Sequence, residues 1–293
     1  MTCNVWVGSA DPLDGYYALA WPARLQKQAR RWLAEDPDVI CLQEVFLPCQ
    51  YAVLSNIPGY TLFAPRRQPI KWSGACIFAI WILLLCLLPV VAMPHPLILI
   101  AAFIIALAVL DLHAITNCML ATNAGTCILV RDTIKVIKQS DHVFANQQGD
   151  SANLGIYRGY MSIVVANDTG DGTTSNDSTA KTTTTQIITG HFNQNHSCHR
   201  MQQIQEFLQA VDQADVHVLC GDFNAVPDSP EIDTIIQHGY TRHENDITTW
   251  NNKSILDHVF TDGDITSSQV LPLVAQLSDH SPIVVNVEKK SSS

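Results

Sequence analysis

The residues able to do chemistry fall in short stretches spread along the chain. They are Asn4, Glu44 in Leu42-Gln43-Glu44, His191 in Gly190-His191-Phe192-Asn193, Asp222 and Asn224 in Gly221-Asp222-Phe223-Asn224, Asp257 in Leu256-Asp257-His258, and Asp279 with His280 in Ser278-Asp279-His280. Oxygen donors dominate this set and no cysteine belongs to it. Hard donors of that kind suit Mg²⁺, with Mn²⁺ as the alternative, and not structural zinc. Two histidines beside carboxylates supply the proton transfer and charge stabilisation that hydrolysis of a phosphoric ester requires. Taken singly, each residue has a duller account: Asn4 and Asn224 as turn residues, Asp257 and Asp279 as caps, His191 as a core histidine.

Each stretch sits at or near the end of an apolar run. That placement points to strands that carry their polar ends to one edge of a sheet, where ligands of α/β folds bind. Residues 217–221 are a short apolar run ending in Gly-Asp-Phe-Asn. Residues 39–46 are apolar except for Gln43 and Glu44, the pattern of a strand covered on both faces. A carboxylate there is costly to bury unless it is paired or bound to metal. Residues 2–7 read as a strand beginning almost at the first residue, which suggests trimmed upstream residues or a misassigned start. Helical spacing appears at Leu25, Ala29, Trp32 and Leu33 within 18–36, and at Met201, Ile204, Leu208 and Val211 within 199–213. Ser229-Pro230-Glu231 opens a further helix that Gly239 closes. Strands are expected at 126–130, 133–138, 157–165, 186–192, 255–260, 269–277 and 282–287.

The 293 residues include 27 Asp and Glu against 17 Lys and Arg, a net charge of −10. That length allows one large or two ordinary domains. The acidic balance makes nucleic acid the less expected partner, although an acidic nuclease can bring positive charge as bound metal. Nine cysteines without a C-x-x-C pair suggest neither a zinc site nor a disulfide framework, so reduced thiols are expected. No signal peptide is visible at the start. The composition changes over residues 69–122, where 74–92 and 97–110 are apolar and Met93-Pro94-His95-Pro96 turns between them. The first run is long enough to cross a bilayer, and a helix apolar on every face needs lipid or a very large protein around it. The expectation is an inserted hydrophobic helical hairpin that meets the membrane through residues 72–117. It must be multi-pass or re-entrant, because the site residues lie on both sides of it. Arg66, Arg67 and Lys71 before it, with Arg131, Lys135 and Lys138 after it, place the rest on the cytosolic side. On this reading residues 1–68 and 123–290 form one discontinuous catalytic domain, with a polar Thr-rich loop at 166–185 and a polar tail at 288–293. The oligomeric state stays open.

The ordered set of Asn4, Leu42-Gln43-Glu44, His191, Gly221-Asp222-Phe223-Asn224, Asp257 and Ser278-Asp279-His280 resembles the endonuclease/exonuclease/phosphatase superfamily. The resemblance covers everything except the insert and the Thr-rich loop. It implies a four-layer α/β sandwich, two face-to-face mixed β-sheets flanked by helices, with the active site at one edge. Thr248-Thr249-Trp250 and the run 221–230 are most similar to the neutral sphingomyelinase group. Ile255-Leu256-Asp257-His258 departs from the Trp-Cys-Asp-Arg type of segment usual in inositol-phosphate 5-phosphatases. The resemblance implies Glu44 as principal metal ligand, assisted by Asn4 and Asp279, with Mg²⁺ as cofactor. It implies His280 as general base, oriented by Asp257, and Asp222 as the group that orients water or shares the metal environment. His191 and Asn224 would donate to the phosphoryl oxygens. His258 reads as a packed or surface strand histidine and Arg158 as a surface arginine. The expected function is a membrane-anchored Mg²⁺-dependent phosphodiesterase acting on a phospholipid headgroup in a bilayer. The alternatives are a tethered nuclease or phosphoinositide phosphatase, and a catalytically silent tethered binding protein.

Overall fold

Runs rich in Val, Ile, Thr and Cys form strands here, and the pairing of those strands builds two sheets. A computed structural model describes residues 1–5, 21–46, 48–65, 124–147, 157–167, 182–244, 246–274 and 277–290. The first sheet has the order β11-β12-β1-β2-β4-β3, from β1 (Thr2–Asn4), β2 (Val39–Gln43), β3 (Tyr60–Phe63), β4 (Cys127–Arg131), β11 (Asp264–Val270) and β12 (Ile283–Glu288). The second has the order β5-β6-β7-β8-β10-β9, from β5 (Lys135–Val143), β6 (Gly159–Asn167), β7 (Thr183–His191), β8 (Val216–Asp222), β9 (Thr241–Arg242) and β10 (Asp257–Thr261). Both sheets are mixed: β1 runs parallel to β2 and β7 parallel to β8, while every other pair is antiparallel.

Three apolar layers separate four layers of structure. Cys41, Ile128 and Val130 of the first sheet meet Met161, Ile163, Ile187, Cys220 and Val259 of the second. Helix α1 (Trp21–Ala34) lays Leu25, Ala29 and Trp32 on the outer face of the first sheet, against Cys3, Ile40 and Leu42; Leu54 of the short helix α2 (Pro48–Leu54) joins them. Helices α3 (Ser197–Leu208) and α4 (Pro230–Gln237) cover the second sheet, where Ile204, Phe207, Ile232 and Ile235 pack on Phe192, Leu219, Phe223 and Phe260. Fully burying one such Phe or Ile is worth roughly 1.5–3 kcal/mol. The expected four-layer α/β sandwich is therefore what forms. One polar stitch crosses its middle: buried Gln43 of β2 donates from Nε2 to Thr2 Oγ1 at 3.0 Å and to Thr189 Oγ1 of the opposite sheet at 2.8 Å.

Several bounds differ from the sequence reading. Strand β11 stops at Val270 and not at 277, because Pro272 has no amide to continue the ladder. Helix α3 ends at Leu208 and not at 213; Gln186 of β7 takes the Ala210 carbonyl and accepts from the Asp212 amide instead. Strands β6 and β7 run into the Thr-rich stretch as far as Asn167 and from Thr183. Helix α2 and strands β3 and β9 were not anticipated.

The expected membrane placement needs correction. Among the described residues no helix is long and apolar enough to cross a membrane, and the architecture is two packed sheets with helices on their outer faces. The multi-pass or re-entrant placement, with a cytosolic catalytic part, is dropped on that finding. Residues 69–122, on which the hairpin rested, lie outside the described residues.

Candidate active site

The two parallel pairs explain why distant residues meet. A parallel neighbour brings its end to the same edge, so Asn4 closes β1 beside Gln43 and Glu44 at the end of β2, and His191 closes β7 in register with Asp222 at the end of β8. Strand β10 runs back from the same edge, which sets Asp257 opposite Asp222. Asp279 and His280 arrive from the segment before β12.

Asn4 donates from Nδ2 to Glu44 Oε1 at 3.3 Å and to Asp222 Oδ2 at 3.0 Å. His191 Nε2 stands 3.5 Å from Asp222 Oδ2 and 4.0 Å from Glu44 Oε1. His280 Nδ1 hydrogen-bonds Asp257 Oδ2 at 2.7 Å, while its Nε2 lies 3.9 Å from Asp222 Oδ2 and 4.0 Å from Asp279 Oδ1. All eight sequence candidates converge, with Asn224 in a supporting place. Its backbone amide donates to Asp222 Oδ1 at 2.9 Å and its Nδ2 to the Phe192 carbonyl at 3.0 Å. Glu44 (φ 62°) and Asn224 (φ 48°) both take the left-handed backbone. For Glu44 that conformation costs on the order of 1 kcal/mol, a local strain of the kind that clusters at working sites.

Electrostatics follow from burying acids together. Burial pushes the Asp222 carboxyl up to about 7 against the pull of His280. Burial also acts to lower His280, but Asp257, Asp222 and Asp279 outweigh it and lift the imidazole up to about 10. His191 is held well below the ordinary histidine value by burial, then by Arg158 and His280, so it is neutral. A neutral ring accepts on one nitrogen and donates from the other. Arg158 Nη1 reaches both ring nitrogens of His191, Nδ1 at 2.6 Å and Nε2 as well, so the ring is wedged between that guanidinium and Asp222.

The donor set fits a divalent cation. Asp222, Asp257 and His280 offer ligand atoms within 4.8 Å of one another. Asp279 Oδ1 and Asp257 Oδ1 are buried with no hydrogen-bond partner, and an orphaned carboxylate oxygen is expensive unless a cation or donor meets it. The carboxylate field that holds the proton on His280 is the same charge a cation would take up, so the two compete for it. Asp222 Oδ2 and Glu44 Oε1 share the Asn4 amide, and Asp279 Oδ1 lies 4.0 Å from His280 Nε2, so these three carboxylates border the space that such an ion would occupy.

Some contributors were not legible. Arg158, expected on the surface, is 5 % exposed and abuts His191; Gly159 pairs with His191 across β6 and β7, a neighbourhood invisible in linear order. Arg24 of α1 is buried, and the pull of burial on its guanidinium is opposed by Asp279 and Glu44. Trp250 donates from Nε1 to Asp279 Oδ2 at 3.2 Å. His258 is the packed strand histidine, bonded by Nε2 to the Ala225 carbonyl at 2.8 Å.

Residues 1–280 match the Endonuclease/Exonuclease/phosphatase family. No curated protein matches the sequence. Among solved structures, the chain is similar to an endonuclease/exonuclease/phosphatase from Bacteroides vulgatus, at TM-score 0.62 and 15 % identity over 99 % of this chain and 97 % of that one. It is similar to the mannosyl-6-phosphatase of Bacteroides thetaiotaomicron, at TM-score 0.60 and 14 % identity over 98 % of each chain. D. rerio TDP2 complexed with single strand DNA product aligns at TM-score 0.58 and 15 % identity over 97 % and 96 %. At such identities these likenesses speak to the fold. With a match over nearly its whole length and the site assembled as the ordered motifs imply, the chain belongs to the Endonuclease/Exonuclease/phosphatase family of phosphoric ester hydrolases.

Proposed function

We propose that the protein is a Mg²⁺-dependent phosphodiesterase that removes a phospholipid headgroup by phospholipase C-type cleavage, as the neutral sphingomyelinase group does. The observation that carries the catalytic part is the His280–Asp257 pair facing Asp222 across a cluster of acids. Asp257 Oδ2 accepts from His280 Nδ1 and fixes the ring, so that Nε2 takes a proton from the attacking water once the carboxylate charge around it is neutralised. Asp222 Oδ2, 3.9 Å from that nitrogen, is placed to hold the water between them. His191, kept neutral beside Arg158, donates its ring N–H to phosphoryl oxygens as their charge grows, and Asn224 contributes its amide from beside Phe192. A Mg²⁺ held by Glu44, Asp222 and Asp279 would supply Lewis-acid polarisation of the phosphoryl group and stabilisation of the leaving oxygen.

The substrate class rests on the segments 221–230 and 248–250, which are most similar to the sphingomyelinase group, and on the net charge of −10, which disfavours a polyanionic nucleic acid. The test is hydrolysis by the full chain of sphingomyelin, a phosphoinositide and plasmid DNA, each with Mg²⁺ and with chelator. Phosphocholine release that needs Mg²⁺ and disappears in Glu44→Gln is expected. DNA nicking without lipid hydrolysis would overturn the substrate, and the absence of metal-dependent hydrolysis on the whole panel would overturn the reading.

A further inference from the structure

The turn at 249–254 touches three of the site residues, although none of its own residues belongs to the donor set. Thr249 Oγ1 accepts from the amides of Leu256 at 2.9 Å and Asp257 at 3.0 Å. The Thr249 carbonyl accepts from Ser281 at 2.7 Å, and the Asn251 amide donates to the Asp279 carbonyl at 2.8 Å. Trp250 forms a bridge with His280. Asn251 (φ 47°) and Asn252 (φ 54°) adopt the left-handed backbone that closes the turn, the role to which asparagine is suited. From this braced position the Trp250 indole N–H reaches Asp279 Oδ2 at 3.2 Å.

We propose that Trp250 is a positioning residue for the cation site: its N–H holds one oxygen of Asp279 and so turns the other toward the space shared by Glu44, Asp222 and His280. The second oxygen behaves accordingly. Asp279 Oδ1 is buried without a hydrogen-bond partner and lies 4.0 Å from His280 Nε2. A carboxylate free to swing divides its time among rotamers; one anchored at a single oxygen presents the other at a fixed angle. The indole does this where a phenyl ring of similar bulk cannot.

This inference rests on the cation-site reading above. Mn²⁺ binding to the full chain, followed by the EPR signal of free Mn²⁺, tests it in wild type, Trp250→Phe and Glu44→Gln. About tenfold weaker binding is expected in Trp250→Phe, with an unchanged melting temperature in chelator. Terbium bound to the wild type should also give emission excited through tryptophan, displaced by Mg²⁺ and diminished in Trp250→Phe. Wild-type Mn²⁺ affinity in Trp250→Phe, while Glu44→Gln loses the ion, overturns the tether and leaves the cation site standing. A wild type that binds no Mn²⁺ removes both. If Trp250→Phe does not fold, the wild-type terbium signal decides, and its absence with the ion bound overturns the proposal.

Discussion

In the proposed mechanism His280 acts as base only if Asp257 holds it. The 2.7 Å bond from Nδ1 orders the ring, so Asp257→Asn should leave a folded protein with a misdirected imidazole. We expect His280→Ala and Asp257→Asn each to lower kcat by roughly 10²–10⁴-fold, measured on the substrate found active. The adjacent His258 affects stability instead. Burial among Phe223 and Phe260 depresses it to about 4; the Ala225 carbonyl and Asp257 act to raise it and Arg242 to lower it. Its folded value lies below the unfolded one of about 6.5, so the unfolded chain binds the extra proton between those values. Its contribution is complete above pH 6.5 and is lost as pH falls to 4, on the order of 3 kcal/mol. Denaturant unfolding of wild type and His258→Gln at pH 7.5 and 4.5 should show the gap between them narrowing at low pH; a constant gap would contradict this.

Among elements, the joint between β7 and β8 carries the tightest constraint. Gly221 sits at φ 135°, and a Cβ there would fall 2.0 Å from the Gly190 carbonyl oxygen. Backbone cannot yield as a flexible side chain does. Gly221→Ala should therefore cost several kcal/mol and displace Asp222, which thermal unfolding and activity measured together would register as a joint loss. The same joint shows what was readable in the sequence. Apolar runs ending in polar residues marked β2, β7 and β8 and hence Glu44, His191 and Asp222, because a strand end is a local pattern. Arg158 was misplaced because its burial comes from a partner strand beginning near Thr183, with the Thr-rich stretch between them. Trp250 could be noted as part of a motif, but its tie to Asp279 spans 29 positions and no local spacing announces it. The membrane placement was drawn from composition alone, and an apolar run reports what the chain avoids and not what surrounds it.

For the whole molecule, a cation shared by acids from both sheets should stabilise the fold. Ligand binding to the folded state adds roughly 2.7 kcal/mol at a hundredfold excess over Kd, so saturating Mn²⁺ should raise Tm by several degrees over chelator. Glu44→Gln should shrink that rise; equal rises in both proteins would argue against Glu44 as a ligand. Asn4 and Glu44 come from one sheet, His191, Asp222 and Asp257 from the other, and Gln43 ties the two through Thr2 and Thr189. Neither slab holds a complete set of reacting groups, so turnover is a property of how the slabs are seated on each other. A change deep in the layer between them, far from any substrate, can silence the enzyme by sliding one half of its machinery past the other.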